Sequence, residues 1–303
     1  MSRSERVETR VDGRQLSLSH LEKVMFPATG FTKGQLIDYY VHIAPVMLPH
    51  VTDRPVTFRR YPDGVESKSF FEKHVPSHAP AWVRTVEVPS TSSRGGGSDV
   101  EHPLIGDLPT LVWAANLAVI EFHVPLWRVG RRRKLPAPPD HLVFDLDPGP
   151  GATIVECCRV AQWIAETLVD QGSQPLAKTS GSKGLQLYVP LGGRPTWERT
   201  RDQAHDLAVQ LEHDHPELVV SSMAKALRND KVFIDWSQNS ASKTTVAAYS
   251  VRARPEPTVS TPVDWDEVAA CEASGDPADL RFTTDEVLAR VDERGDLFAS
   301  LDP

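Results

Sequence analysis

The run HLVFDLDP at 141–148, closed by Gly149-Pro150-Gly151, constrains this chain more than any other segment. Its apolar residues describe a strand inside a buried sheet, and the proline–glycine turn stops it. Side chains two apart on a strand leave from the same face. Asp145 and Asp147 are therefore held a few ångströms apart, next to a turn that admits solvent or a ligand. Carboxylates that close repel unless a cation lies between them. An all-oxygen pair suits Mg²⁺ or Mn²⁺. The bland reading is a polar strand end that happens to carry two acids, and the buried sheet argues against it.

The rest of the chain supplies more strands and the helices that cover them. PVTFRRY (55–61), EFHVPLW (121–127), LQLYVPL (185–191) and KVFIDWS (231–237) have strand character. Thr32 to Gln35 has capping-box spacing and opens a helix through Leu36, Tyr39, Tyr40, Ile43 and Met47. A second helix is expected over 107–118. A third begins at the Thr153–Glu156 capping box and runs to about Gln171. Further helices are expected from Glu198 to His213 and, shorter, near 216–227. The tail from Pro262 reads as acidic and mostly helical, with a capping box at Thr283–Glu286. Residues 1–15 are polar and expected to fray. Residues 89–98 (PSTSSRGGGS) and the RRRKLPAPP stretch read as surface loops. Strands and helices alternate irregularly, which predicts a mixed α/β (α+β) sheet with flanking helices, not a doubly wound fold. No 20–50-residue repeat is present.

A chain of 303 residues can bury a substantial core. No apolar run is long enough for a membrane span, and the N-terminus lacks a secretory core. Cys157, Cys158 and Cys271 suit neither a disulfide framework nor a zinc site, which favours a reducing cytoplasm. The net charge of −8 is unevenly placed. From Ser260 onward there are 12 acids and three arginines, so the remainder is close to neutral and holds the basic clusters. Binding to a nucleic-acid backbone needs local positive charge, not global. On charge alone, solvated faces explain these clusters as well.

Three other features carry chemistry. Thr179-Ser-Gly-Ser-Lys-Gly184, between two strands, offers backbone N–H groups, hydroxyls and an ammonium to a phosphate, although a plain turn fits equally. It is not a Walker A loop. Asp235 ends an apolar strand and can stand beside Asp145 and Asp147, yet spacing alone favours a solvent-facing strand end. His123, alone among apolar residues, reads by itself as a core histidine. The pairs His74/His78 and His213/His215 read as surface residues.

Together FDLDPG, TSGSKGLQLYVPL, RNDKVFIDWSQNSASKTTVAAYSVRAR, VMFPATGFTKGQLIDYY and FFEKH resemble the polymerase domain of bacterial ligase D. That domain belongs to the archaeo-eukaryotic primase superfamily and acts in non-homologous end joining. The resemblance runs from about residue 16 to the C-terminus. It implies a primase-like core, with an RRM-like sheet module joined to a second α/β unit. The matching divisions are an N-terminal unit at 16–135, a catalytic module at 136–260 and the acidic helical segment at 261–303. Asp145, Asp147 and Asp235 match the family's metal-binding triad, which holds two Mn²⁺ or Mg²⁺ ions. His123, Ser180, Lys183 and Arg228 match residues around the incoming nucleoside triphosphate, ribo- or deoxyribo-; Arg59 stands where close relatives have lysine, keeping the charge in a different shape, and Arg252 falls in a matching basic segment near the site. Lys23 and Lys33 match the pair that holds a downstream 5′-phosphate, and Phe70 and Phe71 the aromatics that stack on template bases. Gln186 stands where the family pattern has a histidine near the nucleotide.

The resemblance implies a DNA-dependent nucleotidyltransferase that fills gaps at 5′-phosphorylated breaks, favours ribonucleotides and works in the cytoplasm at the nucleoid. Ligase and phosphoesterase domains are absent from the chain. A stand-alone polymerase is therefore expected, with a separate DNA ligase and a Ku-type protein as partners and no membrane. Two other classes fit parts of the pattern. A D-x-D phosphatase would use the same two acids, although such motifs stand nearer the N-terminus. A non-catalytic 5′-phosphate-binding module would keep Lys23 and Lys33 and tolerate Gln186.

Overall fold

The computed structural model describes residues 6–89, 99–130, 135–193 and 195–301. The first half contains β1 (Arg6–Val11), β2 (Arg14–Ser19), β3 (Val24–Phe26), β4 (Phe31–Thr32), α1 (Lys33–Val51), β5 (Thr57–Arg60), β6 (Phe70–Glu72), β7 (Thr85–Val88), β8 (Val100–Pro103), α2 (Leu108–Asn116) and β9 (Val119–Val124). The second half contains β10 (His141–Pro148), α3 (Ile154–Asp170), β11 (Leu176–Thr179), β12 (Leu185–Pro190), α4 (Trp197–Asp214), β13 (Val219–Val220), β14 (Val232–Asp235), β15 (Thr245–Val246), β16 (Pro262–Val263), α5 (Trp265–Ser274) and α6 (Thr284–Arg294). The fold is mixed α/β, as the irregular alternation predicts.

Two sheets matter for the site. One has six strands in the order β13-β14-β10-β12-β11-β16, antiparallel except for the β13–β14 pair. The other has four in the order β15-β9-β5-β6. The two-residue period of β10 decides which side chain goes where. Leu142, Phe144 and Leu146 enter a core shared with α3, α4 and α5, whereas Val143 belongs to the other core, with α1, α2 and the four-stranded sheet. Asp145 and Asp147 share Val143's face, so they leave the helix-covered side and point toward the first half of the chain. The divisions at 135/136 and 260/261 are crossed by pairing. β15 adds to β9, and β16, in the acidic tail, adds to β11.

Local signals account for the helices. Capping boxes at Thr32/Gln35, Thr153/Glu156 and Thr283/Glu286 are formed. Each satisfies N–H groups that the first helical turn would otherwise leave unpaired. Two expectations are corrected. Residues 6–19, read in part as frayed, form the β1–β2 hairpin around Asp12-Gly13, both at positive φ. Asp-Gly suits such a turn, and the strands look polar because most of their side chains are exposed while Leu16 is buried. The helix expected near 216–227 is instead β13 followed by one 3₁₀ turn at Lys225–Leu227. There Val219 and Val220 pair with β14, so sheet pairing outweighs the local pattern. Most of 89–98 and the Arg131-to-Lys134 run lie outside the described residues. Among the described residues no helix is long and apolar enough to cross a membrane.

Candidate active site

Cross-strand register assembles the centre of the site. Lys178 on β11 lies opposite Gln186 on β12, Gln186 opposite Asp145 on β10, and Asp145 opposite Asp235 on β14. Directly opposed residues hold their Cβ atoms about 4.5–5.5 Å apart. Four residues separated by up to 90 positions thus form one row across four strands. Asp147 stands at the exposed end of the same face.

The acids are under electrostatic stress. Desolvation, then the neighbouring Asp147 and Asp235, push Asp145 up to about 7, against a hydrogen bond from Gln186. Asp147 also moves upward, through desolvation and Asp235, while Arg228 and Arg252 draw it back. Among the described residues no three His, Cys, Asp or Glu side chains are placed so that they already hold an ion between them. The Gln238 amide instead bridges the pair, donating to Asp145 Oδ2 at 3.4 Å and Asp235 Oδ2 at 3.2 Å. Asp235 Oδ1 accepts from the Ser237 N–H at 3.0 Å, and Lys243 Nζ lies 3.8 Å from Asp235 Oδ2. Three acids on adjacent strands, two of them held against ionisation, nonetheless form a donor set that fits hard divalent cations.

A second cluster faces this row from the four-stranded sheet. Glu121 on β9 is 1% exposed and collects four groups. His123 Nε2 lies at 2.9 Å, Arg59 Nη1 at 3.3 Å, Arg252 Nε at 3.4 Å and the Ala253 N–H at 3.0 Å. Burial alone would raise its carboxyl. The His123 hydrogen bond and the Arg252 charge outweigh that and hold it well below the usual range. Arg252 also donates from Nη1 to the Ser180 carbonyl at 2.5 Å, tying the two halves together. Arg59 lies over the Phe71 ring at 5.0 Å. Phe70 and Phe71 are 49% and 63% exposed on β6, which suits stacking partners.

The 180–184 turn differs from the phosphate cradle its sequence suggests. Its N–H groups at Ser182 and Gly184 donate to Ser180 Oγ, at 3.2 and 3.1 Å. Gly184 is needed because a Cβ there would meet the Leu146 carbonyl at 2.1 Å. What the turn offers a ligand is the Ser180 hydroxyl proton and the exposed Lys183. Arg228 lies over the Phe233 ring at 3.6 Å and donates to the Met223 carbonyl at 3.0 Å. The Nε atoms of Arg59 and Arg228 are buried with no hydrogen-bond partner among the described residues, as fits cations placed for an anion.

Lys23 and Lys33 form a separate basic pair at the N-terminus of α1. Lys23 Nζ reaches the Pro62 carbonyl and Asp63, while Lys33 Nζ donates to the Ser19 carbonyl at 2.6 Å. Burial and the neighbouring Lys23 push Lys33 down to about 8. Sequence reasoning missed Glu121, Gln238, Lys243 and Lys178 as site residues. A single acid or amide inside an apolar strand carries no spacing signal. The His213/His215 pair does no metal work in the fold, since His215 stacks on Trp163 at 3.6 Å.

Comparison with known proteins decides the family. The model of the LigD primase-polymerase domain matches residues 32–298. This chain belongs to that family. It is 44% identical over 288 residues to the multifunctional non-homologous end joining protein LigD of Mycolicibacterium smegmatis, covering 95% of this chain and 36% of that protein. The bifunctional LigD of Bacillus subtilis is 33% identical and is covered over 43% of its length. The chain thus spans well under half of these relatives. Among solved structures, the polymerase domain of Mycobacterium tuberculosis ligase D in complex with DNA superposes with a TM-score of 0.87 at 42% identity, covering 95% of this chain and 98% of that one. Family membership places the chain among nucleotidyltransferases of the DNA-directed primase-polymerase type and removes the phosphatase reading.

Proposed function

We propose that this domain adds nucleotides, ribonucleotides in preference, to a 3′ end at a 5′-phosphorylated gap, using two divalent cations held by Asp145, Asp147 and Asp235. The observation that carries this is the Asp145–Asp235 register pair together with the Glu121-anchored Arg59, His123 and Arg252, of which Arg252, with Arg228, lies close enough to lower Asp147. Bound there, Mn²⁺ or Mg²⁺ ions would activate the 3′-hydroxyl and neutralise charge on the triphosphate. The chain's own groups do the rest. Lys183, Arg228 and the Ser180 hydroxyl reach triphosphate oxygens, and Arg228 braces on Phe233. Arg59, His123 and Arg252, fixed by Glu121, line the nucleotide's other side. Phe70 and Phe71 stack on template bases. A separate ligase and a Ku-type protein would complete repair at the nucleoid.

The test is a gapped duplex supplied with Mn²⁺ and each rNTP and dNTP in turn, with and without a primer strand. Templated extension, stronger with rNTPs, is expected. Binding to 5′-phosphorylated ends with no incorporation would favour the non-catalytic module instead.

A second expectation concerns the lysine pair. Lys23→Ala and Lys33→Ala should each cut the preference for a 5′-phosphorylated over an unphosphorylated gap by about tenfold, as loss of a charge-assisted contact worth roughly 1.5–3 kcal/mol implies. Because Lys33 loses its proton as pH rises through about 8, the wild-type preference should weaken between pH 7 and pH 9. Fluorescence anisotropy of both duplexes across that range measures it. A preference independent of both substitutions would remove the pair from the DNA-end site.

A further inference from the structure

Gln186 and Lys178 are joined in one hydrogen-bonded chain behind Asp145. Gln186 is buried, and its amide is occupied at both ends. Nε2 donates to Asp145 Oδ1 at 2.9 Å, and Oε1 accepts from Lys178 Nζ at 2.5 Å. Lys178 is 1% exposed and also donates to Ser260 Oγ at 2.6 Å. Ser260 in turn donates to the Thr179 carbonyl at 2.9 Å. The direction of this chain is forced. A carboxylate that holds a cation is ionised and only accepts, so in that state the amide nitrogen must face Asp145, as it does here. The amide oxygen then faces the lysine, which has N–H groups enough for both its acceptors whether charged or neutral. Lys178 lies 5.5 Å over the Tyr188 ring, and Tyr188 hydrogen-bonds Thr245, so the relay is walled by packed groups.

We propose that Lys178 and Gln186 are positioning residues that act through Asp145, with Lys178 fixing the Gln186 amide so that it holds Asp145 Oδ1 and leaves Oδ2, whose contact is the longer one to the Gln238 amide at 3.4 Å, to a divalent cation. This rests on the metal role proposed above for Asp145. A hydrogen-bonded partner behind a metal-binding carboxylate fixes its orientation, and its loss usually weakens metal affinity or activity by about 10–100-fold. The relay also accounts for glutamine at this position. A neutral imidazole has a donor at one nitrogen and an acceptor at the other, and the amide likewise presents a donor end and an acceptor end, so glutamine can make both contacts while giving up the ability to carry charge.

The experiment compares Gln186→Met, Lys178→Met and the double variant with the wild type. Mn²⁺ binding to the protein alone is followed by electron paramagnetic resonance of the free ion. KM and kcat for nucleotide are measured at saturating Mn²⁺, and thermal unfolding confirms that each variant is folded. Each single change should weaken Mn²⁺ binding about tenfold or more and lower kcat, with KM for nucleotide within twofold. The double variant should be no worse than the weaker single, because residues acting as a unit are not additive. A raised KM with unchanged Mn²⁺ binding would assign Gln186 to the triphosphate and overturn the proposal. Additive losses in the double variant would also overturn it. If the wild type binds Mn²⁺ but extends no primer, the polymerase reading fails while the binding arm still judges the relay.

Discussion

Asp145→Ala should reduce nucleotide incorporation by about a thousandfold or more, with affinity for a gapped, 5′-phosphorylated duplex kept within a few-fold. The magnitude follows from removing a central cation ligand, since ion-based stabilisation of a transition state is worth several kcal/mol and each 1.36 kcal/mol is about tenfold. DNA binding should survive because the residues proposed to hold DNA, Lys23, Lys33, Phe70 and Phe71, stand outside β10. Primer extension paired with anisotropy reads both quantities, and substantial extension by the variant would falsify the assignment. A stability measurement checks the same residue independently. Asp145 is raised from 3.8 to about 7 by burial and by Asp147 and Asp235. A group raised in the folded state contributes stability that is present below pH 3.8 and is lost as pH rises through about 7. Asp145→Asn, which keeps an oxygen for Gln186, avoids that loss. It should raise the metal-free thermal midpoint at pH 8 by more than at pH 5, and Mn²⁺ should stabilise the wild type more than the variant.

Glu121→Ala should cost about 3–5 kcal/mol of stability, the usual result of leaving buried cations without their counter-charge. Arg59, His123 and Arg252 all lean on this one carboxylate, and the Ala253 N–H would lose its acceptor. A denaturant midpoint reads the loss. Glu121→Gln keeps the shape and should cost less, yet it should raise KM for nucleotide because Arg59, His123 and Arg252 are no longer held together by one charge. The pH profile separates this from the Asp145 effect. A carboxyl held low contributes stability above its ordinary range and loses it only in strong acid, so the Glu121 contribution should be flat from pH 5 to 8. Wild-type stability and nucleotide affinity in Glu121→Ala would show that the cations are positioned by something else.

Much of this was legible before any coordinates. The capping boxes placed three helices, because a cap is a local hydrogen-bond pattern completed within four residues. The apolar run before Asp145 placed β10, and the order of motifs named the family. Residues 6–15 of the stretch expected to fray, and 216–227, expected as a helix, depart from expectation for one reason. Their structure depends on what pairs with them, a hairpin partner in one case and β14 in the other.

The sequence by itself determined that Asp145 and Asp147 share a face, because strand geometry fixes neighbours two apart without reference to the rest of the chain. It did not determine that Asp235 lies opposite Asp145, that Gln186 reaches Asp145, or that Glu121 gathers Arg59, His123 and Arg252. Those facts are matters of register between strands far apart in sequence. Register is set when the faces of two sheets bury their apolar residues together, and a shift of one residue would turn every one of these side chains to the other face.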